Sequence, residues 1–215
     1  MLNYAIFKSL EKEANLILPV LVKVSHLSFS FRKQLTAQEM DTKSDYSPVT
    51  IYDFIIQIHL VNSISSQFPN DPIIAEESLK GIHPNFLEQI KQHLDPNIDI
   101  QQIFEKVSKS VPPNTNRFWT IDPIDGTSGF KNYTEDPQSP NQYAIAVALI
   151  ENNDVVFSAV AWPGQTPYFS GLQKPEPTFF LAARNIGSFY TTQSIFDASG
   201  DFTLPGENHS GFIRV

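Results

Sequence analysis

The chain has no cysteine, which rules out disulfides and thiolate zinc sites and leaves its compartment open. Basic residues are scarce: 15 Lys and Arg against 23 Asp and Glu give a net charge of −8. With no basic stripe to release counterions, a nucleic-acid polymer is a poor partner. Small phosphates stay open, because a bound cation reverses the field locally. No apolar run approaches the length of a membrane span. The start of the chain, with Glu11 and Glu13 and few early basic residues, carries no signal or transit pattern. Repeats and low-complexity stretches are missing as well. What is present is 41% hydrophobic residues and 17 Phe in 215 residues, enough to bury a good core. The expectation is a cytoplasmic protein without membrane contact.

Residues 3–35 carry Ile6, Leu10, Ala14, Ile17, Leu21 and Val24 as a helical stripe. Pro19 inside it is expected to kink or divide the helix. The polar stretch 36–47, with Asp41, Lys43 and Asp45, predicts a mobile, solvated loop. Asp53 falls in the first turn of a second helix, whose Phe54, Ile55, Ile58, Val61, Ile64 and Phe68 recur at helical spacings. Pro69-Asn70-Asp71-Pro72 is a turn, and residues 83–110 predict one or two short helices ended by Pro112-Pro113-Asn114. Residues 142–151 and 155–162 alternate as a hairpin around Asn152-Asn153-Asp154. Further strands are expected near Tyr168, at 178–184 and at 188–192. Trp119 and Trp162 are expected in the core. The class is α+β, with helices layered on a mostly antiparallel sheet.

The most informative run is Trp119-Thr-Ile-Asp-Pro-Ile-Asp-Gly-Thr-Ser-Gly-Phe130. Asp122 and Asp125 end an apolar strand-like stretch, and Pro123 between them should make the strand stop and bend. Asp125-Gly126-Thr127 then offers open backbone before a possible helix start. This layout suits a divalent cation held by oxygens and a phosphate laid on free N–H groups. It equally suits an acidic turn in which Asp125 is a cap. Ile73-Ile74-Ala75-Glu76-Glu77-Ser78 is a second apolar run ending in acids. Asp53 is a third acid, favoured by the helix dipole and commonly only a cap. Glu77 reads equally as a structural acid and as one that reaches a metal through water.

Three blocks, residues 44–53, 74–78 and 118–130, together resemble the lithium-sensitive, magnesium-dependent phosphatases of the inositol monophosphatase superfamily. The resemblance extends in particular to the 3′(2′),5′-bisphosphate nucleotidase branch, and Gln142 to Ile150 looks like the strand that follows there. It implies the N-terminal α+β domain of that sugar-phosphatase fold. It implies Mg²⁺ as cofactor, with Glu76, Asp122 and Asp125 as carboxylate ligands and the Ile124 carbonyl as a further one. Asp53 and Thr127 match the pair that orients and deprotonates the attacking water. Asp125, Gly126 and Thr127 match the segment that receives the phosphate. The resemblance also implies that the loop of Asp41, Lys43 and Asp45 lies near the active site, with a gating part as the alternative to a merely solvated loop.

The departures are Ala75 where the family usually has Gly, and Ser128 where the nucleotidase branch often has Lys. In addition, no Trp-Asp-x-x-Ala-type motif follows Thr127. The expected organisation is a phosphatase N-terminal domain over 1–190, with a short tail over 191–215 in place of the C-terminal α/β domain. The expected function is a Mg²⁺-dependent phosphomonoesterase acting on a small phosphorylated nucleotide such as 3′-phosphoadenosine 5′-phosphate. A non-catalytic relative that folds and binds metal or a partner, and an inositol phosphate phosphatase, are the alternatives. Self-association or a partner chain is expected to cover the sheet that the second domain would otherwise meet.

Overall fold

A computed structural model describes residues 10–43, 46–132, 134, 141–163, 177–192 and 213–214. The first helix, α1 (Glu11–Arg32), buries Ala14, Ile17, Leu18, Leu21 and Val24 completely. Pro19 does not divide it. Pro19 and Asn15, whose carbonyl loses its helical donor, both face outward, where water can replace the missing N–H. By length and composition α1 is also apolar enough to cross a membrane, unlike the sequence expectation.

The polar stretch 36–47 is more ordered than a loop. A single 3-10 turn, Ala37–Glu39, is tied by Glu39 Oε2 accepting from the backbone N and Oγ1 of Thr36, both at 2.7 Å. Strand β1 (Met40–Thr42) follows and pairs antiparallel with β2 (Pro48–Thr50). Strands of only three residues are too short to carry a readable alternation, which is why the pattern concealed them. Thr50 then caps α2 (Ile51–Gln67), accepting from Tyr52 N at 3.2 Å.

Beyond α2 come β3 (Ile73–Ala75), α3 (Pro84–Gln92), α4 (Ile100–Glu105), β4 (Val107–Ser108), β5 (Arg117–Asp125) and α5 (Thr127–Lys131). The chain continues with β6 (Ala144–Glu151), β7 (Asp154–Trp162), β8 (Thr178–Ala183), β9 (Gly187–Thr192) and β10 (Ile213–Arg214). Among the described residues these strands form one eight-stranded sheet, ordered β10-β9-β8-β7-β6-β5-β3-β4. Pairing is antiparallel from β10 to β5, and β3 lies parallel to both β5 and β4. The crossover through α3 and α4 allows this parallel end. Asn152 and Asn153, with φ of 52° and 65°, close the β6–β7 hairpin in the left-handed conformation such a tight turn demands.

One face of the sheet packs on α1 and α2. It contributes Trp119, Ile121, Val147, Leu149, Phe157, Ala159, Phe179 and Leu181, all buried. By register the opposite face carries Thr120, Ala146, Ala148, Val160, Phe180 and Ala182, each partly exposed. Trp162 belongs to this second face and is half-buried, its indole N–H donating to Gln142 Oε1 at 3.0 Å. Only Trp119 fulfils the core expectation for the two tryptophans. At the end of β5 remote from the acids, Arg117 donates to Glu13 at 3.0 Å, to Asp71 at 2.8 Å and to Glu151. This knot ties α1, the 69–72 turn and β6 together. The strand expected near Tyr168 lies outside the described residues. Strand β9 crosses the expected boundary at residue 190, and β10 extends the sheet from within the expected tail.

Candidate functional site

Parallel pairing of β3 and β5 aligns Ala75 with Ile121, so the next residues, Glu76 and Asp122, follow side by side. Pro123 cannot donate to the ladder. The strand nevertheless does not stop there. Asp122 pairs with Ala146 and Asp125 with Ala144, so β5 absorbs one extra residue as a bulge and runs on to Asp125. Asp122 is left partly buried, Ile124 buried and Asp125 exposed. Gly126 turns the chain with φ 87°, a conformation that strains a residue bearing a Cβ. A Cβ at Gly129 would stand 2.0 Å from the Gln142 carbonyl oxygen, so the short helix α5 is held hard against the lead-in to β6.

Thr127, the first residue of α5, donates from Oγ1 toward Asp53 Oδ1 at 3.2 Å and toward the Ile124 carbonyl at 3.1 Å. Asp53 is fully buried. Its other oxygen, Oδ2, accepts from Thr50 N at 2.7 Å and Thr50 Oγ1 at 2.6 Å. One oxygen of Asp53 thus belongs to the capping box of α2, and the other meets Thr127. Burial pushes the Asp53 carboxyl up to about 7, against the lowering effect of Thr50, with the charge of Glu77 adding to the rise.

Asp122 is likewise pushed up to about 7, first by burial and then by Glu76, with Asp125 and Asp53 adding repulsion. Among the neighbouring acids Glu76 acts most strongly on Asp122. Asp122 Oδ1 is buried and has no hydrogen-bond partner. A buried carboxylate oxygen left unsatisfied among like charges is costly unless a cation meets it. The residues present therefore fit a hard divalent ion, for which carboxylate and carbonyl oxygens are the preferred donors. Even so, among the described residues no three acidic or imidazole side chains already stand together as a closed ligand set. Glu76, Asp122 and Asp125 are thus not gathered into one set of ligands among the described residues, and Glu76 is engaged by another cation. The Lys43 ammonium lies 2.6 Å from Glu76 Oε1 and 2.6 Å from Glu77 Oε1, drawing both acids to itself.

Sequence reasoning singled out the loop that holds Lys43 but not its contact with the acids, and it missed Gln57 and Lys109. Gln57 is buried on α2, one turn beyond Asp53. Its amide accepts from Glu77 N at 2.8 Å and donates to Glu77 O at 3.0 Å, pinning the β3 tip to the helix that carries Asp53. The spacing of four from Asp53 was the available signal. Lys109, just past β4, donates to the backbone carbonyl of Glu76. Lys43 and Lys109 are each 33 residues from Glu76 in sequence, and nothing local announces either contact. Glu77 is almost wholly buried, and the contacts described for it are with protein groups.

The comparisons with known proteins agree with this geometry. Residues 19–200 match the model of the inositol monophosphatase family. A 3′(2′),5′-bisphosphate nucleotidase of Schizosaccharomyces pombe is 31% identical over 203 residues, covering 84% of this chain and 56% of that protein. One from Dictyostelium discoideum is 28% identical over 200 residues, covering 88% of this chain and 58% of that protein. The chain thus spans little more than half the length of these relatives. Among solved structures, the extragenic suppressor protein SuhB of Bartonella henselae superposes with a TM-score of 0.53 at 15% identity, over 83% of this chain and 52% of that one. A staphylococcal inositol monophosphatase soaked in lithium chloride gives a TM-score of 0.50 at 21% identity, over 84% of this chain and 51% of that one. Those likenesses establish the fold, and the family match extends from α1 through β9: the chain belongs to the inositol monophosphatase family.

Proposed function

We propose that this chain carries the cation- and water-handling part of a Mg²⁺-dependent phosphomonoesterase of the 3′(2′),5′-bisphosphate nucleotidase type. The observation that carries the proposal is the meeting of Asp53 and Thr127 beside a cluster of carboxylates with an unpartnered oxygen. Glu76, Asp122, Asp125 and the Ile124 carbonyl would hold the ion. When bound, such an ion supplies a Lewis acid and neutralises charge on phosphate oxygens.

The remaining roles fall to the chain's own groups. Asp53 Oδ1 holds the Thr127 hydroxyl, and a carboxyl that titrates near 7 can accept a proton through that hydroxyl from a water at neutral pH. Thr50 fixes Asp53 by its second oxygen, so the acid does not rotate away. Gly126 gives the backbone before Thr127 no side chain to obstruct a phosphate. The nucleotide reading is supported by the names of the curated relatives, which match this chain over most of its length. In phosphoryl transfer most of the catalytic effect comes from positioning and electrostatics. A chain spanning about half of its relatives is therefore proposed to turn over weakly by itself. The partly exposed sheet face is proposed to be met by self-association or by a partner chain.

A non-catalytic reading is favoured by one observation, the ammonium of Lys43 seated on the acid pair. The two separate in one assay. Release of inorganic phosphate from 3′-phosphoadenosine 5′-phosphate that requires Mg²⁺ and is abolished in Asp122→Asn supports the enzyme. Release indistinguishable from that of the variant contradicts it.

A further inference from the structure

The Glu76–Glu77 pair differs from the other acids of the site in one respect: it already holds a cation. Lys43 Nζ stands 2.6 Å from an oxygen of each, with the Lys43 and Glu77 side chains 22% and 4% exposed. The ammonium arrives from the end of β1, just as the hairpin with β2 begins to turn. It satisfies the buried Glu77 carboxylate, whose main chain is fixed by Gln57 and is not free to retreat. Glu76 is different. Its side chain is 41% exposed and its charge acts on Asp122 more strongly than that of any other acid, so it can turn from one cation to another. A divalent ion shared by Glu76 and Asp122 would come within a few ångströms of the ammonium, where like charges repel strongly at any dielectric constant suited to a half-buried site.

We propose that Lys43 is a built-in counter-cation for the Glu76–Glu77 pair, and that a divalent ion binding at Glu76 displaces the ammonium from it while Glu77 keeps it. The chain stays folded without metal because lysine holds the acids together, and metal affinity is set by the exchange. This inference rests on the metal reading above.

The test uses the 215-residue chain and Mn²⁺, titrated by calorimetry at constant pH and salt, with wild type compared with Lys43→Met and Lys43→Arg. Removing a competing cation should tighten Mn²⁺ binding in Lys43→Met by at least about fivefold, the lower end of ordinary coupling between two sites. The metal-free variant should also melt at a lower temperature than wild type, because Glu77 is left buried and unpaired. Lys43→Arg, which keeps the charge, should bind Mn²⁺ no more tightly than wild type. Equal or weaker Mn²⁺ binding in Lys43→Met overturns the exchange but leaves the metal site standing, whereas no Mn²⁺ binding by wild type removes both. A second readout needs no variant. The Lys43 ammonium signal in ¹⁵N NMR should be protected from solvent in the metal-free chain and change on addition of Mg²⁺. A signal unmoved at saturating Mg²⁺ overturns the proposal.

Discussion

Asp53 and Thr127, 74 residues apart in the chain, meet at 3.2 Å through a hydroxyl that lies between a buried carboxylate and the Ile124 carbonyl. Two elements make the meeting possible. A capping box fixes Asp53 at the start of α2, and the bulge at Pro123 with the left-handed Gly126 carries Thr127 across to it. Replacing Thr127 by Ala leaves the buried Asp53 oxygen without its donor, which should cost about 1–3 kcal/mol of stability. In a form of the protein with measurable turnover it should lower kcat by roughly 10²–10⁴. Thr127→Ser should retain most of both. Chemical denaturation and steady-state rates read the two effects separately.

The elevated carboxyls fix the sign of the pH dependence. Asp53 and Asp122 both titrate near 7 in the folded chain and near the ordinary value of 3.8 when unfolded. Between those values the folded state binds more protons than the unfolded one, so stability falls as pH rises through that window. Thermal unfolding in EDTA should give a lower Tm at pH 8 than at pH 5.5. Asp53→Asn, which can still accept from Thr50, should flatten the profile and melt above wild type at pH 8.

Divalent-ion affinity should run the opposite way. Ligand carboxylates must be deprotonated, so Mn²⁺ binding should weaken as pH falls below about 7, where Asp122 takes up its proton. Calorimetry in two buffers of different ionisation enthalpy should detect proton release on binding at pH 6.5 and little at pH 8.5. Equal proton release at both would show that Asp122 does not titrate with the metal.

Gln57→Leu removes a two-way bond to the backbone of Glu77 and leaves that N–H buried. The expected loss is about 1–3 kcal/mol, and Mn²⁺ affinity should fall as the β3 tip loosens. Gln57→Glu keeps an acceptor for Glu77 N but buries a further carboxylate against the Glu77 carbonyl, so it should cost at least as much.

Much of the layout was legible in the sequence because it was periodic. The stripe Ala14, Ile17, Leu21, Val24 and the run from Phe54 to Ile64 gave α1 and α2, and alternation gave β6 and β7. The hairpin of β1 and β2 was hidden by the shortness of its strands, and Pro19 was overrated because it faces water. Pro123 misled in the same direction: a bulge absorbed what appeared to be a strand end. At the site, Asp53, Glu76, Asp122 and Thr127 could be named from motif and resemblance. The contacts of Lys43 and Lys109 could not, since they depend on how β1 and β4 approach the tip of β3. Pairing across 33 residues leaves no trace in local pattern.

The central claim is that the acids beyond β3 and β5 form a cation site shared with the Asp53–Thr127 pair. Anomalous diffraction from crystals soaked in Mn²⁺ tests it most directly. The account predicts a peak within about 2.5 Å of Asp122 Oδ1, the range of hard-ion coordination, with Glu76 turned toward it and the Ile124 carbonyl on the same side. Crystals that hold Mn²⁺ elsewhere, or none, with Glu76 still on Lys43 and Asp122 Oδ1 still unpartnered, would contradict it.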